Sequence, residues 1–331
     1  MSRCVVAFAV SFLVLQSSVA HEPVRGAIGK SLAIMQSSAA EYTKHRKCFS
    51  CHNQALPVLA ITTAKSRGIA VDEKELERQL KFTADFLAKN RENYQMGKGQ
   101  GGQVDTAGYA LMTLHVGGWK GDDTTAAVVA YLLQRDAKRD NWLPVSQRPP
   151  SEASQFTTTF LALNALKNYA DPGKQKEIDE RFAKAKKWLL ATKAKDTEDR
   201  VFRLFGLKAV RADKEAIASA KDELAKSQRD EGGWSQLEKL ESDAYATGSA
   251  LVALHQAGGL ATKDEVYQRG AKFLLKTQLA DGSWHVKSRS KPFQTYFESG
   301  FPHGKDQFIS SAATGWATMA LTLMLDKSLK R

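Results

Sequence analysis

Two stretches of equal length, "SAKDELAKSQRDEGGW" (Ser219 to Trp234) and "RGAKFLLKTQLADGSW" (Arg269 to Trp284), place a Gln, a Gly and a Trp at the same offsets after an apolar helical stripe. Each is followed by a second, more apolar segment: "SDAYATGSALVALHQAGG" after the first and "SSAATGWATMALTLML" after the second. The same pairing recurs upstream. "LKFTADFLAK" precedes "DTAGYALMTLHVGG", and "AAVVAYLLQRDAKRDNW" precedes "SQFTTTFLALNAL". "AKAKKWLLATK" precedes "RVFRLFGLKAV", and "SLAIMQSSAAEY" precedes "NQALPVLAITTA". These make six helix pairs with a period near 50 residues. A period of that size marks a stacked or closed array, in which each unit buries its apolar face against its neighbours.

The two members of a pair differ. The first mixes Lys, Glu and Ala with one apolar stripe, so one face stays in water. The second is apolar nearly all round, so it is buried. Six wet helices around six dry ones predict an all-α, closed (α/α)6 toroid. Long Gly-rich loops lead from outer to inner helix, and short loops return on the opposite side. Whatever the long loops carry therefore gathers on one face, at the mouth of the central cavity.

The R-G-x-x-F-L-x-x-x-Q-x-x-x-G-x-W pattern resembles the Q-W repeat of squalene-hopene and related terpene cyclases. The resemblance extends over the chain from residue 21 at the level of repeats and is strongest in Ser219 to Trp234 and Arg269 to Trp284. It implies the (α/α)6 barrel, with Gln tying its helix end to the next repeat and Trp filling the seam. Cyclases of this family protonate an alkene with a D-x-D-D cluster, whose neighbours shift the acid's pKa. The matching place is Glu241-Ser242-Asp243-Ala244, where only Asp243 keeps its position. Asp105 is read as its repeat equivalent, and both precede an apolar helix, where Asp is a favoured N-cap. Related protein prenyltransferases use zinc held by Asp, Cys and His on separate inner helices. That pattern is absent, because no Cys beyond residue 20 lies outside one short motif.

The first twenty residues, "MSRCVVAFAVSFLVLQSSVA", read as a secretory signal: Arg3, an apolar run from Cys4 to Leu15, then Ser18-Val19-Ala20 for cleavage before His21. The expectation is export to the periplasm or beyond, with residues 21–331 forming a single toroid domain and no transmembrane span. Cys4 leaves with the signal, so the mature chain carries only Cys48 and Cys51. The net charge of +12 falls by one with Arg3, and its lysines are scattered. They read as solvated outer faces or as a surface for anionic membranes or acidic partners, not as a nucleic-acid site. A monomer is expected.

Cys48-Phe49-Ser50-Cys51-His52 is a C-x-x-C-H. Two thiols add to haem vinyl groups and the adjacent His ligates the iron, chemistry that takes place outside the cytoplasm. Exported squalene-cyclase-like proteins with such a motif near the N-terminus form a similar group. The motif therefore predicts haem c on Cys48 and Cys51, with His52 as proximal iron ligand. The competing expectations are a Cys48–Cys51 disulfide and a zinc site of Cys48, Cys51 and His52 or His45. For a distal iron ligand, His303 and Met96 lead, with His285 and His45 behind them. Both leaders lie in glycine-bearing loops that can approach a cofactor. His115 and His255 fall at the C-terminal ends of inner helices and suit the negative helix end. Met112, Met319 and Met324 read as core. The last long loop carries Phe293, Tyr296, Phe297 and Phe301, either as a lid over the cavity or as packing for the closing seam.

The leading expectation is thus an exported c-type haem protein, active in electron transfer or haem redox chemistry with a redox partner. The first alternative is a haem-free module that binds an apolar, isoprenoid-like molecule, with Cys48 and Cys51 joined as a disulfide. The second is a degenerate terpene cyclase using Asp243.

Overall fold

The computed structural model describes residues 4–292 and 295–326, with side chains from residue 22 onward. Phe293 lies outside the described residues. Among these, thirteen α-helices account for most of the chain. The first is α1 (Cys4–His45), and a π-helical turn at Cys51–Ala55 runs into α2 (Leu56–Ser66). Then follow α3 (Glu73–Lys89), the single-turn α4 (Arg91–Gln95), α5 (Gln103–Val116), α6 (Asp123–Gln134) and α7 (Gln155–Asn168). The second half holds α8 (Gln175–Ala191), α9 (Thr197–Ala209), α10 (Lys214–Lys226), α11 (Ala244–Gln256), α12 (Glu265–Thr277) and α13 (Gln307–Leu323).

The expected pairs are present: α1/α2, α3/α5, α6/α7, α8/α9, α10/α11 and α12/α13. The second members pack on one another in the order α2, α5, α7, α9, α11, α13, and α13 returns to α2. That is a closed inner ring, with the first members outside it. The α11 and α13 helices are buried along almost their whole length, as an apolar segment at the centre must be. The α9 helix departs from the rule. It carries Arg200 and Arg203, which reach outward to Glu223 of α10 at 3.3 and 3.0 Å.

The outer helices explain their own positions. In α1 the buried residues Val24, Ile28, Leu32, Met35, Ala39 and Tyr42 recur every three or four positions, one stripe along a helix. Asp72, Asp122 and Asp264 cap α3, α6 and α12 through their side chains. Among the described residues, no helix is long and apolar enough to cross a membrane.

The Gln-Gly-Trp repeat has a definite job. The indole N–H of Trp234 donates to the carbonyl of Leu224 and that of Trp284 to Leu274, both at 2.9 Å. The backbone N–H of each tryptophan donates to a threonine of the inner helix that follows, Thr247 at 2.9 Å and Thr314 at 3.2 Å. The glutamine reaches the next outer helix: Gln228 Nε2 donates to the carbonyl of Val266 at 2.8 Å. Gln278 Nε2 donates to Ala27 at 2.9 Å, which joins the last repeat to the first and closes the ring. Gly282 sits at φ +89°, and a Cβ there would lie 2.6 Å from the backbone of Lys30, so only glycine lets the turn touch α1.

A third copy is degenerate in sequence. Trp142 Nε1 donates to Leu132 at 2.8 Å, and its backbone N–H to Thr159 at 3.2 Å. Asp136 stands where the glutamine would be, and Arg181 of α8 makes the link instead. It donates to the carbonyls of Asp136 and Arg139 and lies 3.8 Å over the Trp142 ring.

Gln278→Ala removes two hydrogen bonds, one of them the ring closure, and is expected to cost about 1–3 kcal/mol in urea unfolding. Trp284→Ala empties a fully buried indole site and is expected to cost about 3–5 kcal/mol.

Candidate functional site

The N-terminal ends of the inner elements meet at one face. A cavity of about 1240 Å³ opens there, walled by Cys48 to His52, by the start of α5 and α13, and by the loops 144–153 and 288–292. Its apolar wall includes Phe49, Phe86, Tyr109, Phe297, Phe308 and Ile309.

The C-x-x-C-H segment leads into the first turn of an inner element, which begins at Cys51. Ser50 caps it: its Oγ accepts from the Asn53 N–H at 3.3 Å, and Gln54 Oε1 accepts from the Ser50 N–H at 2.8 Å. The turn is π-helical, a local irregularity often found at functional sites. It is anchored on both sides. Asn53 donates to Ser38 of α1, and Ser311 of α13 donates to the His52 carbonyl at 2.9 Å.

Cys51 is buried, and its thiol donates to Glu152 Oε1 at 3.0 Å. Its Sγ stands 3.1 Å from His52 Nδ1 and 3.8 Å from Nε2. The His52 ring packs on Phe308 at 5.5 Å between centroids. Glu152 is held by an ion pair with Arg148 and by two backbone bonds between the same residues, at 3.2 and 3.0 Å. Cys51, His52 and Glu152 bring their donor atoms within 4.8 Å of one another. Burial drives the Cys51 thiol well above its usual range, helped by Glu152. Burial lowers His52 to about 4 against a smaller pull from Glu152, so the ring is neutral.

Cys48 turns away, its Sγ 3.3 Å from Tyr42 Oη. Both thiols are free, and the expected Cys48–Cys51 disulfide is not formed, because each sulfur faces a different partner. His45 lies on the outer side of α1, paired with Glu41 at 2.9 Å.

Asp105 corrects the sequence reading. It is not the N-cap of α5, a place held by Gly102, but sits inside the first turn, buried at the cavity wall. Thr158 Oγ1 donates to its Oδ1 at 2.6 Å, while Oδ2 is buried without a partner. Burial raises this carboxyl to about 7. Asp243 is a true N-cap: its Oδ1 accepts from the Ala246 N–H and its Oδ2 from Gln236, both at 2.9 Å, and it lies outside the cavity wall. The two aspartates are therefore not equivalent. Aligning Gly108 with Gly248 sets Asp105 opposite Tyr245, two residues further on.

The distal-ligand expectations scatter. Met96 is 56% exposed at the end of α4. His303 stacks on His285 at 4.8 Å and bonds to Ser283, and His285 pairs with Asp306 at 2.8 Å. None of these lines the cavity. His115 and His255 lie in the last turns of α5 and α11 as expected. Met112 and Met319 are core, with Met324 packed against it. Of the last loop, Phe297 lines the cavity, Phe301 is buried and Tyr296 is half-exposed. The loop also packs on α1, where Ser38 Oγ donates to Ser299 at 3.2 Å. It thus serves both as wall and as seam.

Beside this cavity, in the first turn of α9, Glu198 is buried. Its Oε1 accepts from Thr157 at 2.8 Å and from Tyr245 at 3.4 Å, and burial raises it to about 8.

Residues 171–328 match the squalene-hopene cyclase C-terminal domain. Among solved structures, the chain is similar to a protein from Actinoplanes, at 13% identity and TM-score 0.58 over 91% of this chain and 99% of that one. It is also similar to the type II terpene cyclase MstE from Scytonema in complex with merosterolic acid A as product, at 14% identity and TM-score 0.58 over 92% and 99%. The same enzyme in complex with geranylgeranyl dihydroxybenzoate as substrate gives 14% identity and TM-score 0.55 over 90% and 97%. No curated protein matches the sequence. The fold is therefore the terpene-cyclase-like α/α toroid.

Asp105 and Glu198 are held protonated by burial far above their unfolded values, so the folded state binds more protons than the unfolded one. The stability they lend is complete at low pH and is lost as pH rises from about 4 to about 8. His52, held below its ordinary value, works the other way between about 4 and 6.5, so melting temperature measured against pH is expected to fall from about pH 6.5 to 8, and Glu198→Gln is expected to flatten that fall.

Proposed function

We propose that the protein is an exported binding toroid that holds an apolar, isoprenoid-like molecule in the cavity, with the polar end of that molecule toward Cys51, His52 and Glu152. The carrying observation is the cavity itself: about 1240 Å³, aromatic on one side and edged by a compact polar cluster on the other. Cavities of that kind, mostly apolar with a few convergent polar groups, are where small molecules bind. The likeness to a cyclase solved with a geranylgeranyl substrate supports the ligand class. Should a bound polyene also react, Asp105 is better placed than Asp243 to give a proton, because Asp243 is committed as a cap. Export rests on the signal-like first twenty residues.

A second reading is favoured by one observation: Cys48, Cys51 and His52 all open on this same cavity with both thiols free. On this reading Cys48 and Cys51 hold haem c as thioethers and His52 ligates its iron, which would supply electron transfer to a redox partner. No other His or Met among the described residues lines the cavity.

Titration of the mature protein with a fluorescent geranylgeranyl probe is expected to saturate at one equivalent. Phe308→Ala should weaken it about tenfold, and a linear, unsaturable response would sink the binding reading. The haem reading is checked on protein from an exporting host by intact mass and visible spectrum. Haem adds its own mass and gives sharp bands on reduction. A colourless protein with two titratable thiols in denaturant removes it.

A further inference from the structure

We infer that Cys51, His52 and Glu152 form a binding site for a divalent, zinc-class metal ion whose fourth position faces the cavity. This rests on the haem-free reading, since haem would consume Cys51 and His52.

Three different donor types converge from two separate parts of the chain. The Cys51 Sγ and the His52 ring come from the capped first turn of an inner element, and Glu152 from the loop before α7. All three line the cavity and bring their donor atoms within 4.8 Å. A tetrahedral ion with metal–sulfur and metal–nitrogen bonds near 2.3 and 2.0 Å needs a sulfur–nitrogen edge of roughly 3.5 Å. Sγ stands 3.1 Å from Nδ1 and 3.8 Å from Nε2, so either nitrogen reaches that edge with a shift of a few tenths of an ångström. The sulfur–oxygen edge, now 3.0 Å, must open by about half an ångström.

Thiolate, imidazole and carboxylate together favour zinc over the oxygen-seeking cations. Three protein ligands with one open position are the pattern of a site that takes up water or a ligand, not of a closed structural site. The outer support is present. Arg148 fixes the Glu152 carboxylate by the ion pair and the paired backbone, and Ser311 and Phe308 hold His52 by its carbonyl and its ring.

Binding replaces a proton. The Cys51 S–H bond breaks, a sulfur–metal bond forms, and the proton now shared with Glu152 leaves to solvent. The local charge then rises by one, with the Arg148 guanidinium already beside it. The open position therefore suits an anionic end, such as a carboxylate or phosphate, on the cavity's apolar ligand.

The experiment uses the mature wild-type protein, stripped with a chelator and then given Co²⁺ or Zn²⁺ alone. One equivalent of Co²⁺ is expected to give d–d bands and a thiolate charge-transfer band in the near ultraviolet. Zn²⁺ affinity, read by competition with a chromophoric chelator, is expected to fall at least about 100-fold in Cys51→Ser and at least about tenfold in Glu152→Gln. Cys48→Ser should stay within about twofold. Circular dichroism checks each variant's fold, and a Zn²⁺-dependent rise in the wild-type melting temperature supports the site without any variant. No stoichiometric metal, no charge-transfer band, Cys48→Ser failing where Glu152→Gln binds, or covalent haem on Cys51 each overturns the proposal. The geranylgeranyl probe is titrated with and without Zn²⁺. Probe binding in a protein that takes no metal sinks this site and leaves the cavity reading standing, whereas metal uptake without probe binding does the reverse.

Discussion

The buried indole of each repeat decides how the whole ring is assembled. A tryptophan inside a protein must find a partner for its N–H, or the burial costs more than it returns. Trp142, Trp234 and Trp284 solve this identically, each donating to a leucine carbonyl in the last turn of its own outer helix. Each also hangs its backbone on a threonine of the following inner helix. One residue thereby fixes how far an outer helix runs, where the chain turns and at what height the inner helix begins. Once that height is fixed in several repeats, the starts of the inner helices are level, and their first turns share one face.

Much of this was legible in sequence because it is periodic. The Q-x-x-x-G-x-W offsets give the turn, and the contrast between striped and uniformly apolar segments gives outside and inside. Six pairs and a closed ring follow. Legibility faded where a different residue does the same work. Asp136 and Arg181 replace the glutamine link around Trp142, and no spacing rule announces an arginine that comes from the next helix. The α9 helix likewise breaks the apolar pattern, because its ion pairs with Glu223 satisfy charges that a buried helix normally lacks.

The site was half legible. Cys48, Cys51 and His52 stand out as a motif, and the long-loop face was the right place to seek their partners. The partner that matters, Glu152, lies in "QRPPSEAS", which has no motif and is brought in only by the ring closing. Its one signal was the length of the loop between Trp142 and α7. Asp105 was visible but misplaced, since a shift of two residues separates a capping aspartate from one that points inward. The histidine and methionine chosen for their glycine-bearing loops, His303 and Met96, went elsewhere, since glycine permits an approach without directing one.

Level starts have an electrical effect. The inner helices all present their N-terminal ends to the cavity face and keep His115 and His255 at the far end. A helix N-terminus carries roughly half a positive charge, and parallel neighbours do not cancel one another as antiparallel ones do. The outer helices end at the same face with the opposite sign, but the effect falls off within a turn, so it is the inner-helix ends, which lie nearest the cavity, that bear on a group inside it. Arg148, Arg289 and Lys291 stand at the same rim and add to their field. For the anion-ended apolar guest proposed above, that arrangement favours entry by the anionic end.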